Sequence, residues 1–222
     1  MKSGKLIVIE GAVDGIGKST QFALLKEKLI SLGYKVSGHH FPSYDTPQGA
    51  LVEAYLRGEY GSPSELSPYF VNSLYAIDRA VTWRTSLSHM SGDVLLLDRY
   101  TTSSLIYQSA GITDTAEKER FVSYVTDYEY KKLGIPAPDC VIFLDAPFES
   151  AAHLRAQRKD NDGVENDVHE RDDSFMRSVW QSAQLICDLQ GWTRIRCTEE
   201  DGTMRSREDI HSDIMTALAE VL

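Results

Sequence analysis

Between Gly11 and Thr20 the chain reads GAVDGIGKST, a glycine-rich run that ends in a lysine and two hydroxyl residues. A run of this kind suits a phosphate-binding loop. Its backbone N–H groups can close on phosphate oxygens, and a helix starting at the loop favours negative charge at its N-terminus. Lys18 would then reach the β- and γ-phosphates of a nucleoside triphosphate, and the Ser19 hydroxyl would ligate Mg²⁺. Ala12, Asp14, Gly15, Gly17, Lys18, Ser19 and Thr20 are the candidate nucleotide-binding residues. Counting back from Gly17, the first glycine of the usual pattern falls on Ala12, with Gly11 one place early. A one-residue insertion and an alanine tolerated at the turn both account for this.

Two further clusters look suited to an acceptor. Asp98 to Gln108 reads DRYTTSSLIYQ. Asp98 offers a carboxylate that can support Mg²⁺, directly or through water, and Arg99 a planar fork suited to a phosphate. The same pair could be a structural ion pair. Ser104 and Gln108 are four apart and share a helical face, presenting a hydroxyl and an amide to a base edge. In NSLYAIDRAVTW, Tyr75 and Arg79 are also four apart, so an aromatic face and a guanidinium share one wall. The alternative places Tyr75 in the core and makes Arg79 a surface ion-pair partner.

These residues need a frame that brings them together. Candidate strands are Leu6–Glu10, Lys35–Phe41, Val94–Asp98, Cys140–Asp145 and Arg194–Cys197. VLLLD and VIFLD are near-continuous apolar runs ending in Asp, the pattern of parallel strands covered on both faces. Phe22, Leu25 and Leu29 form a helical stripe closed by Gly33. Helices are also predicted over Gln48–Leu56, Leu66–His89, Lys118–Tyr130, Glu149–Arg158, Ser174–Leu189 and Arg207–Val221. This alternation predicts one α/β domain spanning 1–222, with ligands beyond the carboxyl ends of its strands. His39 and His40 fall on opposite faces of a strand and read as structural.

Composition narrows the partners. The 23 Lys and Arg against 33 Asp and Glu give a net charge of −10, which argues against a protein that coats nucleic acid. The apolar run Leu6–Ile9 is too short for an export signal or a membrane span. Three cysteines without metal-like spacing read as reduced thiols, so the expected location is the cytoplasm. No NKxD signature of guanine recognition is present.

Taken together, the stretch from Leu6 to about Ile214 resembles a bacterial thymidylate kinase, and DRYTTSSLIYQ is close to that family's signature. The resemblance implies a P-loop NTPase fold, a five-stranded parallel sheet flanked by helices on both faces, usually in a homodimer. It implies Mg²⁺-dependent transfer of the ATP γ-phosphoryl group to dTMP, giving dTDP and ADP in dTTP synthesis. It further implies that Arg99 contacts the dTMP phosphate, that Ser104 and Gln108 read the thymine with Tyr107 nearby, that Tyr75 stacks on the base, and that Arg79 hydrogen-bonds a base carbonyl. FPSYDTPQG, from Phe41, resembles the family's second-strand motif, with Tyr44 where an arginine is common, and it makes Phe41 a candidate dTMP-binding residue. Asp14 matches an acid near the deoxyribose. The charged segment 155–175, RAQRKDNDGVENDVHERDDSF, is expected to be a mobile lid closing over ATP. Arg158 or Arg155 would supply transition-state charge, and Val168 stands where the family commonly has arginine. Competing readings are another nucleoside or nucleoside-monophosphate kinase, and a nucleotide-binding relative without phosphotransfer.

Overall fold

The computed structural model describes residues 4–11, 15–63, 65–150 and 173–222. Five strands form one sheet: β1 (Lys5–Gly11), β2 (Val36–His40), β3 (Val94–Asp98), β4 (Cys140–Asp145) and β5 (Thr193–Arg196). Their order is β2-β3-β1-β4-β5 and every pairing is parallel. The helices are α1 (Lys18–Ser31), α2 (Ala50–Leu56), α3 (Pro68–Thr85), α4 (Thr101–Tyr107), α5 (Thr115–Thr126), α6 (Asp173–Gln190) and α7 (Arg207–Leu218). A 3₁₀ turn follows α3 at Leu87–His89, and α5 runs on into a π-helical turn at Asp127–Lys132.

The central strand β1 shows why both faces are covered. Leu6 and Val8 point into a cluster with Ala80 of α3, Leu97, Tyr100 and Ile135. Ile7 and Ile9 point the other way, into a cluster with Leu25 and Leu29 of α1 and Ile210, Ile214 and Leu218 of α7. This is the period-two alternation of a strand sandwiched between two helical layers. Full burial of each such side chain contributes about 1.5–3 kcal/mol. A third cluster joins Leu105 and Ile106 of α4, Phe121 and Val125 of α5, and Met176, Val179, Ala183 and Ile186 of α6.

Local signals set the helix starts. Pro68 occupies the first turn of α3, where its missing N–H costs nothing. The Asp114 carboxylate accepts the Glu117 N–H at 2.8 Å at the start of α5, and the Ser206 hydroxyl accepts the Asp209 N–H at 3.0 Å at the start of α7. Asp173, Ser174 and Phe175, the last residues of the expected lid, belong to α6. The rest of the lid, with Arg155, Arg158 and Val168, lies outside the described residues, as do Ala12 and Asp14.

Candidate active site

The register puts polar strand ends side by side. His40 pairs with Asp98, which pairs with Ile9, one residue before Glu10. From this edge the chain turns into α1 after β1 and into α4 after β3, so both helices begin at the site.

Gly17 caps α1 with φ of 94°, a left-handed conformation that a side chain would strain. Lys18, the first residue of α1, is 7% exposed. Its aliphatic stem lies across the end of β1: a Cβ built on Gly11 would stand 3.3 Å from both Lys18 Cγ and Cδ, and 2.9 Å from Ile16 Cγ2. Gly11 therefore lets the lysine run back over the strand. Ser19 is exposed, and Gly15 and Thr20 are partly buried.

Asp98 is 7% exposed. Its Oδ2 lies 3.1 Å from His40 Nδ1, whereas its buried Oδ1 has no hydrogen-bond partner among the described residues. Burial alone would raise its pKa, but the His40 contact and the charges of Lys18 and Arg99 hold it below the usual carboxylate value. A buried carboxylate oxygen left open at a strand end, with a hydroxyl residue in the first turn of α1, is a donor set for a cation that keeps most of its other ligands as water and phosphate. The residues present fit Mg²⁺.

Arg99 takes φ of 64°, unusual for a residue with a side chain. The cost is about 1 kcal/mol or more, and its own N–H donates to the Ile9 carbonyl at 3.2 Å. Its Nη1 stands 3.7 Å from Glu10 Oε1 and 3.5 Å from Ser103 Oγ, with Cζ 5.3 Å from the Tyr107 ring centre. Glu10 is fully buried. Its Oε2 accepts from Thr102 Oγ1 at 2.8 Å and Ser103 Oγ at 2.6 Å, and its Oε1 accepts the Gly11 N–H at 3.1 Å. One carboxylate thus ties the loop after β1 to the start of α4.

The second wall is built on Arg79, 1% exposed. Its Nη2 donates to Ser104 Oγ at 2.7 Å, so two expected base-contacting residues meet. Nε and Nη2 also donate to Glu129 at 2.6 and 2.7 Å, and Nη1 to the Tyr100 carbonyl at 3.3 Å. Burial would lower the arginine's pKa, but Glu129 outweighs it and the net shift is upward. Arg79 is a buried ion-pair partner, not the surface one considered from sequence. Tyr75, partly buried edge-on against Tyr55, has its ring centre 6.0 Å from Arg79 Cζ, so it packs on the core and also faces Arg79. Tyr107 and Gln108 are 9% and 8% exposed at the end of α4. Phe41 is packed in the core, its ring centre 5.8 Å from that of Tyr100.

Three participants escaped the sequence reading. Glu10 ends an apolar strand just before the glycine loop, the same strand-end signal that marked Asp98. His40 stands on the side of β2 that meets Asp98, while His39 on the other side contacts Ser43 Oγ at 3.0 Å. Glu129 carried only its place on the stripe of Phe121, Val122 and Val125, and its partner lies 50 residues away. The second strand-end acid, Asp145, accepts from Arg194 Nη1 and Gln184 Nε2, each at 2.7 Å, tying β4 to β5 and α6.

Residues 9–214 match the family model described as thymidylate kinase. The chain is 33% identical over 192 residues to the thymidylate kinase of Mycobacterium tuberculosis, covering 84% of this chain and 87% of that one. It is 33% identical over 222 residues to that of Pelotomaculum thermopropionicum, covering 99% and 94%. The human thymidylate kinase is 33% identical over 217 residues, covering 96% and 89%. Among solved structures, the thymidylate kinase of Candida albicans superposes with a TM-score of 0.69 at 22% identity, covering 98% of this chain and 92% of that one.

Proposed function

The chain belongs to the thymidylate kinase family, and from that membership we propose that it transfers the ATP γ-phosphoryl group to dTMP at the sheet edge formed by β1 and β3. The observation that carries the reading is that α1, which opens with Lys18, and the turn that holds Arg99 start from the adjacent ends of β1 and β3, where Glu10 lies 3.7 Å from Arg99, with the Arg79–Ser104 wall on the helices beside it.

Chemistry at such a site is mainly a problem of charge. The dTMP phosphate has its second pKa at about 6 and is largely dianionic at neutral pH, so its oxygen attacks without a general base. Two polyanions must then approach in line. Lys18, from the start of α1, neutralises the donor phosphates, and the Arg99 fork holds the acceptor phosphate. Glu10 sets the place of Arg99 through Ser103 and its own carboxylate. The base lies against Tyr75, where stacking contributes about 1–3 kcal/mol, and Arg79, Ser104 and Gln108 select among bases, with Tyr107 nearby. Ser19 and Asp98 would hold Mg²⁺, which when bound neutralises charge on the β- and γ-phosphate oxygens. Asp14 near the deoxyribose, and Arg155 or Arg158 as the lid cation, complete the proposed set.

The protein works as a homodimer in the cytoplasm under this reading. Phe70, Ile77 and Val81 of α3 are 44%, 41% and 38% exposed at helical spacing, an apolar stripe that a second copy would cover. Sedimentation velocity would show a dimer that Ile77→Glu dissociates. Among the described residues no helix is long and apolar enough to cross a membrane, and all three cysteines are free of disulfides.

The test is ADP release from ATP·Mg²⁺ with dTMP, dUMP, UMP, CMP, AMP and thymidine each offered as acceptor. The greatest kcat/KM is expected with dTMP. Turnover with thymidine alone, or none with any acceptor despite ATP binding, would overturn the assignment.

A further inference from the structure

The helix α5 buries Phe121, Val122 and Val125, and the next position of that stripe is Glu129, fully buried on the π-helical turn. A carboxylate stands where the helical pattern asks for an apolar side chain. Its two oxygens take Nε and Nη2 of Arg79 in a fork at 2.6 and 2.7 Å. Oε2 also accepts from Thr101 Oγ1 at 3.0 Å. The same carboxylate therefore ties α3, which carries Tyr75 and Arg79, to α4, which carries Ser104 and Tyr107. A buried ion pair is a poor way to gain stability, since an apolar pair of similar volume does as well or better. Buried charge pairs of this kind can instead fix one geometry, and π turns recur at functional sites.

We propose that Glu129 is a positioning residue for acceptor recognition, setting the guanidinium of Arg79 so that Nη1 is the donor left for the base. Nε and Nη2 are held by side chains, and among the described residues Nη1 has only the longer bond to the Tyr100 carbonyl. Ser104 Oγ accepts from Nη2, so its own hydrogen is turned to another acceptor. The wall thus presents donors. It complements a pyrimidine carbonyl at C4, as in thymine, and opposes the amino group that cytosine carries there. This inference rests on the assignment of Arg79 to the base.

Steady-state kinetics with dTMP and dCMP on the full chain separate the positioning role from the Arg79 assignment. Glu129→Gln should raise KM for dTMP by about ten-fold or more, the scale of one charge-assisted hydrogen bond, with KM for ATP held within about two-fold. The dTMP-to-dCMP ratio of kcat/KM should fall by a similar factor. Thr101→Val, which removes one donor to Glu129 and keeps its charge, should shift both quantities the same way by less. It serves as the test if the glutamine variant does not fold. If Arg79→Ala loses base discrimination but Thr101→Val and Glu129→Gln keep it, the positioning role is wrong and the Arg79 assignment stands. The positioning role is equally wrong if a variant lowers kcat to the same extent for both acceptors, in step with lost folded protein. If Arg79→Ala itself leaves KM for dTMP and the ratio unchanged, the Arg79 assignment fails and the inference with it.

Discussion

Replacing Glu10 with glutamine removes one charge and changes few atoms, yet the structure gives it a large expected effect. Both carboxylate oxygens act as acceptors: Oε1 takes the Gly11 N–H, and Oε2 takes the hydroxyls of Thr102 and Ser103. A glutamine has one acceptor oxygen. Turned one way, its NH₂ meets the Gly11 N–H donor head on. Turned the other way, it faces two hydroxyls that must rotate and find other acceptors. The second orientation costs less, because hydroxyls rotate and a backbone N–H does not. Each hydroxyl bond then changes from charge-assisted, worth about 1.5–3 kcal/mol, to neutral, worth about 0.5–1.5 kcal/mol. Two such losses come to about 2–3 kcal/mol, with a small further loss from Arg99 Nη1 at 3.7 Å. For a chain of this size that lowers Tm by about 4–12 °C. Arg99 also loses its buried counter-charge, so KM for dTMP should rise while KM for ATP holds. Differential scanning calorimetry and acceptor titrations read the two effects separately. A variant melting within about 1 °C of wild type, well short of the expected drop, with unchanged KM for dTMP, would refute the view that Glu10 organises the loop and α4.

Lys18→Met keeps the stem that packs across Gly11 and removes the charge. Turnover should fall by about 10²–10³ or more with Tm little changed, and wild-type-like activity would dismiss the lysine's role. Asp98 is held below its ordinary value of 3.8, so its contribution to stability is complete above that value and is lost as pH falls through the lower folded one. Urea midpoints from about pH 6 to 3 should therefore fall more steeply for wild type than for Asp98→Asn below about pH 4; parallel curves would count against the shift. The same variant should need about 10–100-fold more Mg²⁺ for half-maximal rate, which a magnesium titration checks. Burial pushes the thiols of Cys187 up to about 11 and Cys197 up to about 12, and raises that of Cys140. All three should react slowly with a disulfide reagent at about pH 7.5 and quickly once denatured; any fast native thiol would contradict this.

The sheet was readable because its inner strands are apolar on both faces. Val94–Asp98 and Cys140–Asp145 form over the residues expected from their runs of Val, Leu and Ile. Edge strand β2, SGHH after Val36, is one residue shorter at each end than its pattern suggested. The helix expected over Leu66–His89 divides at Ser86, whose φ of −133° breaks the α geometry before a 3₁₀ turn. Lys118–Tyr130 begins earlier, at Thr115 after the Asp114 cap, and ends in π geometry that no periodicity signals. In the site, the legible residues lie within motifs a few positions long, such as Gly17 to Ser19 or Asp98 to Gln108. Glu10 carried the strand-end signal that marked Asp98, but His40 and Glu129 are each defined by a partner brought by the fold. An acid in DYEYKK looks like any solvated charge until Arg79 is found against it.

The sheet order also has a consequence for how the chain is made. β1 is the first strand to leave the ribosome, yet it is the centre of the sheet, and both its neighbours are encoded later. The Leu6 N–H meets the Asp139 carboxylate across 133 residues, which at about 5–20 residues per second is a wait of roughly 7–27 s. Both edges of LIVIEG stay open until β3 is made, and the edge that takes β4 stays open for the whole of that time; an apolar strand with an open edge is the kind of segment that pairs with other chains. The strand that leads into the candidate phosphate loop is thus the one whose edges wait longest for partners during synthesis. Its first protection comes from α1, which follows at once and places Leu25 and Leu29 over Ile7 and Ile9.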